Sequence, residues 1–399
     1  MPQFSPERAE SAPLDAPLAG AVAADATTLS ALREPLLLFA LIAVLAAFFA
    51  AAWISTGAFH AREKQLAQQW YERGQAELAA GRSEVAISNF RSALLYERDD
   101  ADYRWSLAEA LLSAQQYSQA EAYFRSLLES EPADGRVNLA LARVEARSDR
   151  VEAAIRYYED AIYGIWHTNP AEHRFQARLE LVRLLLGRGR NTEAEAQLVS
   201  LTADLPSSPA ALEQVATMFA SVNDYSRAAA LFARALRAGP DNLEALDGLG
   251  TAEFNLGRYS EAREHLEVLL QRDRTNQAAA AMERTAAAVL ALDPYARLAG
   301  AERRSRVMRI AQAASARLQQ CSTIAAGTSE PLTTDLQGLV SRQATLAPRI
   351  TDRDLRNNPD LVQDALDLAF TIEREAQAIC GPMTNTDEAL LRIAALHNQ

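Results

Sequence analysis

Lysine is nearly missing from this chain: Lys64 is the only one among 40 basic residues in 399. Arginine carries almost all the positive charge and is scattered through the sequence, which reads as compositional drift and not as a site. Acidic residues outnumber basic ones and leave a formal net charge of −12. That balance argues against nucleic acid as a partner, because phosphate recognition needs a positive field. Strand-like alternation is absent over any useful length, and the bias toward Ala, Leu, Glu, Arg and Gln favours helix throughout. A sheet is thereby excluded, leaving an all-α fold.

Recognisable catalytic patterns are absent too. There is no HExxH, no P-loop, no nucleophile elbow and no glycine-rich turn after a strand. We therefore assign no catalytic residue, no cofactor and no metal site, and expect no enzyme. His167 and His173 bracket Pro170 with Glu172 beside them, but their spacing fits no helical face and no cysteine joins them. Cysteine itself is scarce, with Cys321 and Cys380 the only two, so the chain can close one internal bridge at most.

The residues that are present fall into blocks. Residues 1–34 are rich in Ala, Pro, Ser and acidic side chains without apolar periodicity, and read as a disordered tail. Residues 35–59 carry no charge, and their centre is long enough to cross a hydrocarbon core of about 30 Å at about 1.5 Å per residue. We read them as an uncleaved transmembrane helix with Trp53 at the interface. A cleaved signal peptide is the alternative, disfavoured by the long charged leader. Residues 60–66 then lead as helix toward a region of regular spacing.

The stretch Leu243 to Asn276 holds two short amphipathic helices joined at Gly257, and its pattern recurs. Aligning on Ala262 gives Ala86, Ala120, Ala154, Ala194, Ala228 and Ala262, at steps of 34, 34, 40, 34 and 34. Four residues on come Phe90, Phe124, Tyr158, Leu198, Phe232 and Leu266, on the same helical face. Twelve residues before each alanine stand Gly74, Ala108, Ala142, Val182, Ala216 and Gly250, mostly small, as close helix approach requires. The turn position reads Gly81, Gln115, Asp149, Gly189, Asn223 and Gly257, largely residues that tolerate a left-handed backbone. This register resembles the tetratricopeptide repeat (TPR) of bacterial-type, single-span anchored proteins. It gives six units over 60–276: 67–100, 101–134, 135–168, 175–208, 209–242 and 243–276. Six extra residues, Asn169 to Arg174, are expected to lengthen the connection before the fourth.

The resemblance implies an α-solenoid whose first helices line a concave surface that binds protein or peptide. Its expected groove includes Tyr71, Trp105, Arg136, Arg143, Arg147 and Arg183, an aromatic wall running into an arginine cluster. Such a surface suits a peptide with an apolar anchor followed by a carboxylate. The family's carboxylate clamp is not reproduced, since Tyr71 and Gln75 stand where its lysine and asparagine would be. Later units present Glu213, Glu244 and Asp247 instead.

Beyond the repeats, 277–294 is expected to cap the array and 295–399 to form a helical bundle. Cys321 and Cys380 fall at expected helix ends that meet if the helix between runs antiparallel, so they are our disulfide candidate, which calls for an oxidising compartment. Arg33 on one side of the apolar run and Arg62 with Lys64 on the other lean weakly toward a cytoplasmic location of the repeats. Following the cysteines, we expect an inner-membrane anchor with the soluble part periplasmic or exoplasmic, the cytoplasmic orientation staying open. The function expected is a membrane-anchored scaffold or adaptor in the assembly of a membrane or envelope complex, with protein partners and a possible place as a subunit of that complex. The alternative makes the repeats a delivery module for a catalytic or ligand-binding C-terminal domain.

Overall fold

The computed structural model describes residues 26–328, 334–377 and 380–397. Residues 1–25 of the expected tail lie outside the described residues. The described chain is helical with no strand, and divides into two compact units, one up to Leu127 and one from Leu128 onward.

The first unit is organised on α1 (Ala26–Ala79), a helix of 54 residues. It begins before the boundary drawn at Pro35, since Leu29, Ala31, Leu32 and Arg33 are good helix formers. From Leu37 it is long and apolar enough to cross a membrane, and residues such as Leu37, Phe39, Phe48 and Trp53 are exposed. The same helix continues without a break into the first repeat, where Ala67 is buried and Gly74 lets the Phe90 ring approach. A Cβ on Gly74 would lie 2.5 Å from that ring. Helices α2 (Ser83–Tyr96), α3 (Ala101–Ser113) and α4 (Tyr117–Leu128) complete two hairpins.

The second unit continues the pattern with α5 (Gly135–Arg147), α6 (Val151–Tyr163), α7 (Pro170–Gly187), α8 (Asn191–Leu201), α9 (Pro209–Ser221), α10 (Tyr225–Ala238), α11 (Leu243–Asn255) and α12 (Tyr259–Arg272). Each helix packs on the next in the chain. The physical reason is the register itself. All six aligned alanines are fully buried, and the ring or leucine one turn later is buried with them. Every turn position takes a left-handed backbone, with φ of 75° at Gly81, 61° at Gln115, 61° at Asp149, 69° at Gly189, 64° at Asn223 and 75° at Gly257. Asp100, Asp134, Ser208 and Asn242 close each preceding unit and accept backbone N–H bonds from the helix after it.

The insertion before α7 behaves differently from the expected longer connection. Asn169 caps α7, Pro170 is its first residue, and the other added residues form about one extra turn of that helix. Proline suits this place because the first helical turn has no use for its missing N–H. The chain between α6 and α7 is fastened by a short bridge, in which Gly135 N–H donates to Ile165 O at 2.9 Å and Ile165 N–H donates to Ala133 O at 2.7 Å. Gly164 is needed there, since a Cβ would meet Ala133 O at 2.9 Å. Trp166 donates its Nε1–H to Ala161 O at 2.8 Å and stacks on His173 at 4.5 Å.

After the repeats come α13 (Gln277–Leu292), α14 (Gly300–Thr328), α15 (Thr334–Leu346), α16 (Asp352–Asn357), α17 (Pro359–Gln377) and α18 (Asn385–His397). Their core joins Val307, Ile310, Leu366, Phe370, Leu390 and Ile393 to Phe254 and Tyr259 of the last repeat. The cap expected of α13 is shared with α18, which lies along it. Cys321 sits inside α14 and not at its end, because Ser322 to Ala326 contain no residue that stops a helix.

Candidate functional site

In the first unit, the aromatic residues expected to face a ligand are engaged in packing. Tyr71 lies 4.8 Å from the Tyr103 ring and 5.8 Å from Phe90. Gln75 Nε2–H donates to the Tyr71 hydroxyl at 3.0 Å and to Ser106 Oγ at 2.9 Å. Trp105 is 8% exposed and meets Phe124 edge-on at 5.1 Å. It is a core residue, because the fifth position of that helix turns toward its own hairpin partner; this corrects its place as an open wall.

The arginines belong to the second unit. Arg143 on α5 is held by Glu180 on α7, with Nε–H donating to Oε2 at 2.9 Å and an Nη2–H to Oε1 at 2.7 Å. Glu180 also accepts the Tyr158 hydroxyl proton at 3.2 Å. Burial, then the Glu180 charge, raises the Tyr158 pKa, while Arg143 and Arg147 oppose the rise. Arg143 is thus an exposed arginine already paired at two points with a carboxylate. Arg136, Arg147 and Arg183 are exposed, and neither Arg147 nor Arg183 has an ion-pair partner among the described residues. Glu180 was missed by sequence reasoning; it stands one turn before Arg183, yet only the packing of α7 on α5 brings it to Arg143.

Farther along the same unit the charge reverses. Asn242 Nδ2–H bonds Glu213, whose pKa is raised by burial and then by Glu244. Asp247 is raised by burial and by Asp273, against a hydrogen bond from Asn276. These carboxyls are held above their ordinary range because they are partly buried and face like charges. Between the two regions, a cavity of about 590 Å³ opens where the lengthened α7 meets the start of α9, lined by Glu172, Phe175, Gln176, Asp204 and Gln214 among others.

The residues considered for a metal do not converge. His173 stacks on Trp166, and His167 Nε2 lies 4.0 Å from Glu131. No group of three ligand-type side chains converges among the described residues.

A second polar centre lies in the C-terminal helices. Cys321 and Cys380 are joined as a disulfide with Cα atoms 4.7 Å apart. One turn before Cys321, the buried Arg317 donates to Gly381 O at 3.0 Å and Pro382 O at 3.2 Å, with Asp387 Oδ2 3.8 Å from its Nε. Glu373 is buried nearby; burial first, then Asp387, push its carboxyl up to about 7, and Arg317 pulls the other way. Nothing in the sequence singled out Arg317 or Glu373, which look like ordinary charges on amphipathic helices.

Sequence models described as tetratricopeptide repeat match residues 77–144, 111–164 and 220–285, and a second form matches 179–242. The chain belongs to the tetratricopeptide repeat family. Solved structures similar to this TPR protein include PilF of Pseudomonas aeruginosa, at 17% identity over 54% of this chain and 95% of that one, with a TM-score of 0.40. Another is PilW, a type IV pilus biogenesis factor, at 17% identity over 55% and 98%, TM-score 0.40. A third is the C-terminal part of a TPR repeat-containing protein from Cytophaga hutchinsonii, at 11% identity over 59% and 92%, TM-score 0.44. No curated protein matches. TPR proteins are generally non-catalytic scaffolds that bind protein or peptide partners.

Proposed function

We propose that this TPR protein is a single-span membrane scaffold that holds a protein partner close to the bilayer during assembly or organisation of a membrane or envelope complex. The carrying observation is α1: one uninterrupted helix contains both the apolar stretch from Leu37 and the first helix of the first repeat. An anchor continuous with the repeats leaves no flexible linker, so the first repeat stays at a set distance from the membrane surface. The buried disulfide supports placing the soluble part on the oxidising, periplasmic or exoplasmic side of an inner membrane.

For the partner surface, the second unit supplies the better candidate. Exposed Arg136, Arg147 and Arg183, beside the Arg143–Glu180 pair, offer guanidinium groups suited to a carboxylate-bearing segment. In the C-terminal helices the core is filled by apolar side chains, and the buried Arg317 is bonded to backbone carbonyls. This favours a structural role there over the delivery of substrate to a catalytic domain.

The test is crosslinking and affinity capture from membranes with the full chain, comparing it with Arg147→Glu combined with Arg183→Glu. The expected result is a discrete partner at the wild-type chain that is lost on charge reversal. Extraction of the protein from membranes by alkaline salt, or unchanged capture by the double variant, would overturn the anchor or the surface respectively.

A further inference from the structure

Helix α18 occupies a repeat position although it comes from the far end of the chain. Along the array each helix packs on its successor, α11 on α12 and α12 on α13. At α13 the rule breaks: besides α12, it packs chiefly on α18 and only slightly on its own successor α14, which turns away to pack on α17. The chain thereby completes a seventh hairpin, α13 with α18, using a second helix borrowed from its own C-terminus. Thr285 Oγ1–H donates to Glu388 Oε2 at 3.2 Å across 103 residues of sequence.

The seat is specific. The Arg392 guanidinium lies 4.0 Å over the Phe254 ring. Leu396 fills the space above the turn glycine, where a Cβ on Gly257 would come within 2.8 Å of it. His397 closes the end, 4.2 Å from the Tyr295 ring and 3.3 Å from Asp293. A free helix of this length is marginal in water, and its seat lies far away in sequence, so something must aim it.

The aiming device is one face of α14. Cys321 is bonded to Cys380, just ahead of α18, and Arg317 one turn earlier holds Gly381 O and Pro382 O. Asp387, in the first turn of α18, accepts from Thr384 N–H at 2.8 Å, and its own N–H donates to Thr384 Oγ1 at 3.2 Å. Bond, arginine and capping box together fix the start and direction of α18. Neither sulfur is accessible, Cys321 being 2% and Cys380 0% exposed, so the bond is shielded once formed.

We propose that the Cys321–Cys380 bond is an oxidative latch that seats α18 as the second helix of the seventh hairpin, so that the repeat array closes its end only in the oxidised chain. Closure requires a disulfide oxidant. The two thiols give up two protons and two electrons, the S–S bond forms, and the oxidant's own disulfide is cleaved and reduced to a dithiol. In the reduced chain the covalent tie from α14 to the 380–387 segment is gone and the Arg317 bonds and the capping box remain; α18 leaves its seat, and the apolar surface around Phe254, Ala286 and Val289 is uncovered.

The test is hydrogen exchange on the full-length protein in detergent micelles, comparing the oxidised chain with Cys321→Ser combined with Cys380→Ser. Exchange in α18 and α13 is expected to rise about tenfold while α9 to α12 change less than about twofold. Unchanged protection of α18 would overturn the proposal, and so would a uniform rise through α9 to α12, which would make the bond part of the general core. A second variant, Arg392→Ala with Leu396→Ala, keeps the latch and removes seat contacts. It is expected to loosen α18 less than the cysteine variant does; an equal or larger effect would show that the seat, not the bond, places the helix.

Discussion

The hairpins α5 to α12 and the helices α13 to α18 lie in the same unit and are built from the same helix-forming residues, yet they hold together by different means. In the hairpins every helix meets its successor, the turn residues sit at positive φ, and the core is a repeated alanine facing a ring or leucine. In the C-terminal part the decisive contacts join distant segments: a disulfide with a separation of 59, an arginine bonded to carbonyls on another helix, and buried carboxyls. Short-range contacts need little chain closure and can be repeated; long-range ones must overcome loop entropy and so rely on covalent or buried polar fasteners.

The contrast can be attacked at its largest points first. Cys321→Ser with Cys380→Ser removes the closure of a 59-residue loop, a loss of about 4 kcal/mol in chain entropy. Denaturant melts should show that loss in the C-terminal helices ahead of the hairpins. Phe232→Ala, in the buried ring position of α10, should cost about 3 to 4 kcal/mol through its cavity, and the unfolding should spread to both neighbouring hairpins. An effect confined to one hairpin would mean the repeats are less coupled than their shared core suggests.

A third test uses protons. The Glu373 carboxyl is pushed from 4.5 up to about 7 in the folded chain, so the folded state keeps its proton after the unfolded state has lost its own. Stability from this group is therefore fullest below about pH 4.5 and is lost as pH rises through about 7. The total is about 3 kcal/mol on the linkage relation. Chemical melts at several pH values should show that slope in the wild-type chain and a flatter one in Glu373→Gln. Equal slopes would mean that the buried carboxyl does not set the pH response of this region. The smallest effect belongs to a turn. Gly189 has φ of 69° and open space around it, so Gly189→Ala should cost only about 1 kcal/mol, all of it backbone conformation.

Much of the repeat region was legible in the letters alone. Periodic burial leaves its mark on neighbouring residues, which is why Ala86 through Ala262 and the six turn residues could be placed from spacing. Pro170 was misread because a proline can end a connection or begin a helix, and only the packing of α7 shows which. Trp105 was misread for a related reason: the fifth position of a first helix borders both core and groove, and the direction of one ring decides between them. Glu180, Arg317 and Glu373 left no mark at all. A charge that will be buried against a distant partner is spelled the same way as one that will face water.

Composition and local spacing were enough to set the all-α class, the helical hairpin with its left-handed turn, the number of repeats, the apolar run before them and the two cysteines able to bridge. Those features depend on residues within one or two helical turns of each other, or on residue content alone. It took the folded chain to establish that the apolar run and the first repeat are one helix, that Arg143 is answered by Glu180, and that α18 lies against α13. Each depends on which distant surfaces meet, and that comes from the summed packing of whole helices, not from any local pattern.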